Sequence, residues 1–324
     1  MNKLLPMLAT ACVAAILSSG PSLAQQFPTQ NIKVIISFGP GGGSDIIGRI
    51  IAQRMQEKLG QTVVVENRAG AGGMIGNEVV ANAPKDGYTL GVMTAGQVIA
   101  PVMTKQPRYD TLKVFDSVGQ IATAGLLIVT RPDSPIKDIK TLIAAAKANP
   151  GKINVASPGY GATQHLAAEL FKQVAGISAT QVQFRTSGEA LAALLSKNVD
   201  VLFDTVTALI GQVESGQVRA LAVTGKDRFP ATPNVPAAIE SGLTPGYDVT
   251  TWYALYGPRG MPKPVTAKLN ATLNEIIAEP AVRERLTKAG VVVKGSTPEA
   301  FDQFMADEFA KWTKVRTAAG LEQR

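Results

Sequence analysis

Two stretches of the chain carry residue types and spacings suited to holding an anion. The first is Phe38-Gly39-Pro40-Gly41-Gly42-Gly43-Ser44-Asp45, the second Ser157-Pro158-Gly159-Tyr160-Gly161-Ala162-Thr163-Gln164-His165. Each follows a short apolar run, Ile32 to Ser37 and Ile153 to Ala156. Each precedes apolar residues three or four apart: Ile47, Ile50, Ile51, Met55 and Leu59, then Leu166, Leu170 and Val174. That order reads strand, small-residue loop, helix. Glycine lets a ligand approach without a Cβ in the way, and the free N–H groups at a helix start attract anions. Ser44 or Asp45 can cap the first helix. The same residues also spell an ordinary strand-to-helix turn, and the stretch alone fits both readings.

Signatures of common enzymes fail. There is no G-x-x-x-x-G-K-[ST] loop, and Gly70 to Gly76 nears a dinucleotide fingerprint but has Ile75 where the third glycine belongs. No G-x-S-x-G elbow occurs. With one histidine, His165, and one cysteine, Cys12, the usual zinc sites lack ligands. Neither a cofactor nor a metal is expected, and no catalytic residue is assigned. A Ser-His-acid arrangement through His165 is open by counting, although a cap or cleft role suits its place near a helix start. What survives is a pair of helix starts. If both face one cleft, their positive ends address it together. Backbone N–H groups with the Ser44 and Thr163 hydroxyls can each hold a carboxylate, at roughly 1.5–3 kcal/mol per charge-assisted bond.

The elements that must position these loops alternate short β-type and helical runs, which predicts an α/β architecture with mainly parallel sheets and helices on both faces. Strands over Thr62 to Glu66 and Leu90 to Met93 end in Asn67 to Gly73 and in Thr94-Ala95-Gly96-Gln97. The carboxyl edge of such a sheet is where ligands bind. Val118 to Thr130 reads as two strands broken at Ala122 to Gly125, and it is the expected crossing into a second domain. Strands Gln181 to Phe184, Val199 to Phe203 and Val218 to Val223 follow, and Val249 to Tyr256 is the return crossing. The tail holds helical patterns over Pro264 to Glu279, Ala281 to Ala289 and Pro298 to Ala319.

Residues 1–24 read as a secretory signal peptide: Lys3, an apolar run from Leu4 to Leu17, and a small-x-small site at Ser22-Leu23-Ala24. Cleavage near Ala24 is expected to deliver a soluble chain of 300 residues without cysteine to the periplasm. No later stretch approaches the roughly 18 apolar residues of a membrane span, so no stable membrane insertion is expected. The formal charge of +7 is scattered, which argues against nucleic acid as a partner. Three hundred residues predict two domains.

Together, Ile32 to Asp45, Val63 to Gly73, Asp86-Gly87-Tyr88-Thr89-Leu90, Val199 to Asp204 and Arg219 to Thr224 resemble the Bug family, the periplasmic solute-binding proteins of tripartite tricarboxylate transporters. The resemblance covers essentially all of the mature chain. It implies a two-domain, type II-like periplasmic binding fold with the ligand cleft between domains, 25–123 plus 247–324 forming the first and 124–246 the second. It also implies a monomer that hands a mono-, di- or tricarboxylate to the transporter's membrane subunits. Carried onto this sequence, the family's pincer falls on Phe38, Gly39, Pro40, Gly41, Gly42, Ser44 and Asp45, and on Ser157, Gly159, Tyr160, Ala162, Thr163 and His165. Thr94, Gln97, Tyr160, Arg185 and Asp204 are placed to read the ligand's other end. Arg185 suits a second carboxylate or is a solvated strand end, Tyr160 and Phe38 stack on an aromatic ligand or pack, and Asp204 binds a donor or caps a helix. Two departures stand out: Ser37-Phe38-Gly39-Pro40 where relatives commonly have Pro-Phe-Pro-Pro, and Phe184-Arg185-Thr186-Ser187 where they have Tyr-Lys-Gly-Gly. The rival readings are a ligand-sensing partner of a membrane receptor and an exported α/β enzyme using His165.

Overall fold

The computed structural model describes residues 27–243, 247–318 and 323, so the expected signal peptide lies outside the described residues. Strand β1 (Ile32–Ile36) buries every side chain but Lys33. It lies between parallel neighbours β2 (Val63–Asn67) and β3 (Thr89–Thr94). Helix α1 (Gly43–Leu59) turns Ile47, Ile50, Ile51 and Met55 onto this sheet and ends at Gly60, whose φ of 67° only glycine takes easily. Helix α2 (Met74–Ala81) follows β2, and α3 (Ala95–Met103) begins directly at the end of β3, where a loop was expected. One short turn of helix, α4 (Thr111–Val114), leads into β4.

β4 (Phe115–Thr130) is continuous over 16 residues. The expected break at Ala122 to Gly125 is absent; instead the strand shifts register twice against β9 (Thr250–Pro258), at Ser117/Gly119 and Gln120/Ala122. Such bulges re-aim a strand without ending it. Up to Gly125 β4 pairs with β9, and from Leu126 it pairs with β7 (Val201–Thr205) and β8 (Arg219–Val223). The second lobe adds α5 (Ile139–Ala148), β5 (Asn154–Pro158), α6 (Thr163–Ala175), β6 (Thr180–Phe184), α7 (Ser187–Leu195) and α8 (Val206–Glu214). Helices α9 (Lys263–Ala278) and α10 (Pro280–Lys288), strand β10 (Val292–Val293) and helix α11 (Pro298–Ala318) return to the first.

The path runs β2-β1-β3-β9-β4-β7-β5-β6. Strands joined through helices pair in parallel, as expected, whereas every pair made by the crossing strands β4 and β9 is antiparallel. The sheets are therefore mixed, because a strand that returns the chain between lobes must run against those it joins. Trp252 on β9 is core: it is buried edge-to-face on Phe301 of α11, ring centroids 5.2 Å apart. Among the described residues no helix is long and apolar enough to cross a membrane.

Candidate functional site

The carboxyl ends of β1, β3, β5, β6 and β7 converge, and each delivers the start of a helix to one cavity. Its walls include Gly43 and Ser44 of α1, Thr94 before α3, Gln164 of α6, Thr186 and Ser187 at the start of α7, and Thr205 before α8. Five positive helix ends thus border one volume, which favours an anion far more than a single helix start does. Several wall hydroxyls are cast as donors. Thr186 Oγ1 accepts from Glu189 N at 3.1 Å and Thr205 Oγ1 from Ala208 N at 3.2 Å. Each therefore keeps a proton that the helix does not use. Tyr253 from β9 also lines the wall; it is buried, and its hydroxyl lies beside that of Thr205 at the Gly43 backbone. Arg185 stands exposed at the rim, its guanidinium unpaired among the described residues. Among the described residues no carboxylate lines the cavity.

The lobes are closed on each other. A Cβ at Gly39 would run into the Thr186 methyl, one at Gly72 into the Tyr160 carbonyl oxygen, and one at Gly96 would stand 3.2 Å from Ala162 Cα and Thr163 N. The Phe38 ring lies between Gly73 and Gly159. The cavity left between them is ≈ 30 Å³. That is far below the roughly 300 Å³ and more of an ordinary ligand pocket, so room for an organic acid requires the lobes to part.

Of the residues predicted from sequence, Phe38, Gly39, Gly42, Ser44, Thr94 and Arg185 line this cavity. The others sit around it and hold it in shape. Pro40 and Gly41 face outward. Asp45 does not cap α1, whose N-cap is Gly42 without a side-chain bond; its carboxylate folds the loop by accepting from Gly41 N, Arg49 Nε and Asn67 Nδ2. Burial opposes that charge, but the bonds from Arg49, Asn67 and Gly41 outweigh it and lower the pKa. Gln97 bonds Thr94 N and Asn77 Oδ1, inside a buried cluster where Asn77 also meets Ser37, Tyr109 and Tyr256. Ser157 bonds Gln181 and Gln183 on the neighbouring strand.

The second loop is braced in the same way. Gly159 and Gly161 take φ of 72° and 77°, and Gly161 N donates to His165 Nδ1 at 3.0 Å. His165 Nε2 stands 3.7 Å from Glu169, and the Tyr160 ring lies over the imidazole at 4.9 Å while remaining half exposed. Burial raises the Glu169 pKa, but bonds from His165 and Lys172 overcome this and bring it to about 2. Ala162 is the N-cap of α6, and the buried Thr163 hydroxyl faces Gly96 without a hydrogen bond. Asp204 lies behind the cavity wall, fully buried, with Oδ1 accepting from Gln164 Nε2 at 3.2 Å and Thr205 N at 2.7 Å. Burial pushes its carboxyl up to about 6 against the bonds from Ser187, Thr205 and Gln164.

Sequence reasoning missed the starts of α7 and α8, and with them Thr186, Ser187 and Thr205. A signal was present: Thr186-Ser187-Gly188-Glu189 directly after a strand has the S/T-x-x-E spacing of a helix start. The two departures from the family pattern, at Gly39 and Thr186, meet across the cleft, the missing Cβ of one making room for the methyl of the other.

Residues 47–321 match the family described as "Tripartite tricarboxylate transporter family receptor". The chain belongs to that family. Similar proteins include the "UPF0065 protein in tcbD-tcbE intergenic region" of Pseudomonas sp. strain P51, 37% identical over 94% of this chain and 92% of its own length. BugT of Bordetella pertussis is 33% identical over 99% of both chains. Among solved structures, the periplasmic binding protein BugD superposes with a TM-score of 0.88 at 35% identity, covering 92% of this chain and all of its own. An R. palustris protein with adipate gives 0.87 at 31% identity, over 91% of this receptor and 98% of its own chain. MatC from Rhodopseudomonas palustris with bound malate gives 0.84 at 32%, over 89% of the receptor and 99% of its own chain. The receptor is thus a Bug-family periplasmic binding protein in fold.

Proposed function

We propose that this receptor captures a small organic acid, a di- or tricarboxylate by preference, in the periplasm and hands it to the membrane subunits of a tripartite tricarboxylate transporter. The convergence of five helix starts on one carboxylate-free cavity carries the reading. The malate and adipate in two similar structures support it. The lobes would comprise 25–123 plus 247–324 and 124–246, the first switch falling where β4 changes partners near Gly125. One carboxylate would lie against the starts of α1 and α7 with the Thr186 and Thr205 hydroxyls, and a second would reach toward Arg185. His165 has both ring nitrogens turned to its own loop and helix, so a reaction through it gains no support.

The test is thermal unfolding and calorimetry of the chain from Gln25 onward against succinate, malate, citrate, adipate and benzoate, with neutral amides and sugars as controls. A true ligand at a hundredfold excess over Kd adds about 2.7 kcal/mol of stability. Stabilisation by at least one acid and by none of the neutral compounds is expected; the reverse pattern, or no response to any acid, overturns the reading.

A further inference from the structure

Against a wall rich in donors, one side chain stands apart. The cavity-lining side chains are apolar, cationic or hydroxyl-bearing except Gln164, whose Oε1 can only accept. Which end of this amide enters the cavity is decided behind the wall. Asp204 Oδ1 accepts from Gln164 Nε2 at 3.2 Å and also from Thr205 N at 2.7 Å, so the amide nitrogen is drawn back and the carbonyl oxygen is left in front. An ionised carboxylate has no proton to give and holds the amide this way round. Asp204 is 0% exposed, and nothing but its neighbours can engage it. The buried Tyr253 hydroxyl lines the same small volume. A ligand that met only carboxylate-binding donors would leave the Gln164 oxygen unmatched once water is expelled, and an unmatched buried acceptor opposes binding.

Resting on the carboxylate reading above, we propose that Asp204 is a positioning residue that turns Gln164 Oε1 into the cleft, and that this acceptor makes the receptor prefer carboxylates bearing a hydroxyl or ammonium donor over the bare acid. The preference is a difference between two ligands of the same charge at the carboxylates, so it does not depend on how tightly the carboxylates themselves are held.

Calorimetric titration with succinate, both enantiomers of malate, and aspartate tests it, since these share a four-carbon diacid frame and differ in the donor. Wild type is expected to bind at least one of malate or aspartate roughly tenfold or more tighter than succinate, the ratio that one hydrogen bond to an otherwise unmatched group supplies. Gln164→Met removes the acceptor from a half-buried position and should collapse that ratio. Asp204→Ala frees the amide to turn and should do the same, whereas Asp204→Asn keeps an Oδ1 acceptor and should retain most of it. General damage to the fold would weaken all four acids together and leave the ratio standing. The proposal is overturned if wild type binds succinate as tightly as the others, or if Gln164→Met keeps the ratio. If no acid in this panel or the wider one binds, the receptor reading itself falls and takes this one with it.

Discussion

Asp204 shows how one residue's surroundings set its chemistry. Aspartate ordinarily ionises near 3.8; here burial, opposed by Ser187, Thr205 and Gln164, lifts the carboxyl to about 6. Between those two values the folded chain holds a proton that the unfolded chain has released, so stability falls as pH rises through the window. The full effect is on the order of 3 kcal/mol, present below the window and lost above it. Glu169 acts oppositely: held down to about 2, it contributes stability above its ordinary 4.5 that disappears in more acid solution. The Asp204 contribution is therefore isolated by difference. The ligand-free melting temperature of wild type minus that of Asp204→Asn should decline from about pH 4 to about pH 6.5 and be flat beyond. A difference independent of pH would mean that the carboxyl titrates normally. A carboxyl kept behind the cavity wall at this cost fits a role in orienting Gln164 rather than in holding the fold.

At the scale of elements, the helix starts do two jobs at once. Thr205 caps α8 through Oγ1 and lines the cavity. Thr205→Ala should cost roughly 1 kcal/mol in denaturant unfolding and weaken acid binding as well, while Thr205→Ser restores both. Asp138, which caps α5 away from the cleft, provides the contrast: Asp138→Ala should lower stability with affinity intact. Loss of stability in both variants with unchanged affinity in both would remove the Thr205 hydroxyl from the site. These elements were largely legible from local pattern. The runs before and after Gly39 to Asp45 and Ser157 to His165 spelled strand and helix. What local pattern could not give was which loops meet. The resemblance put Gly41 among the ligand contacts, and the structure adds a local reason for a glycine there, since its Cβ direction is open space and its φ is 78°. The α8 start was hidden because Asp204-Thr205 reads equally as a strand end, and β4 was split because its small residues resemble a turn when the bulges against β9 are not visible. Each is a long-range pairing, and spacing along one chain does not encode it.

For the molecule as a whole, the closed arrangement turns on how near the two lobes can come, and Gly39 is one of the places where that distance is set. Its would-be Cβ collides with the Thr186 methyl, a contact between the loop after β1 and the loop after β6. Both loops border the cavity, so a wedge there separates the helix starts that must close on one ligand. A ligand shifts the population of closed molecules only by the contacts it gains in that state, so an obstacle to closure taxes affinity in proportion to the closed fraction lost. Gly39→Ala should bind acids roughly tenfold or more weakly, equivalent to about 1.4 kcal/mol, with melting temperature of the ligand-free protein little changed because the open form tolerates the methyl. Small-angle scattering under saturating ligand should show compaction for wild type and a reduced change for Gly39→Ala. Thr186→Ser on the Gly39→Ala background removes the opposing methyl, keeps the hydroxyl that caps α7 and lines the cavity, and should return both affinity and compaction. The pair separates closure from chemistry. If the double variant stays as weak as the single one, Gly39 acts on the ligand directly and not through the approach of the lobes.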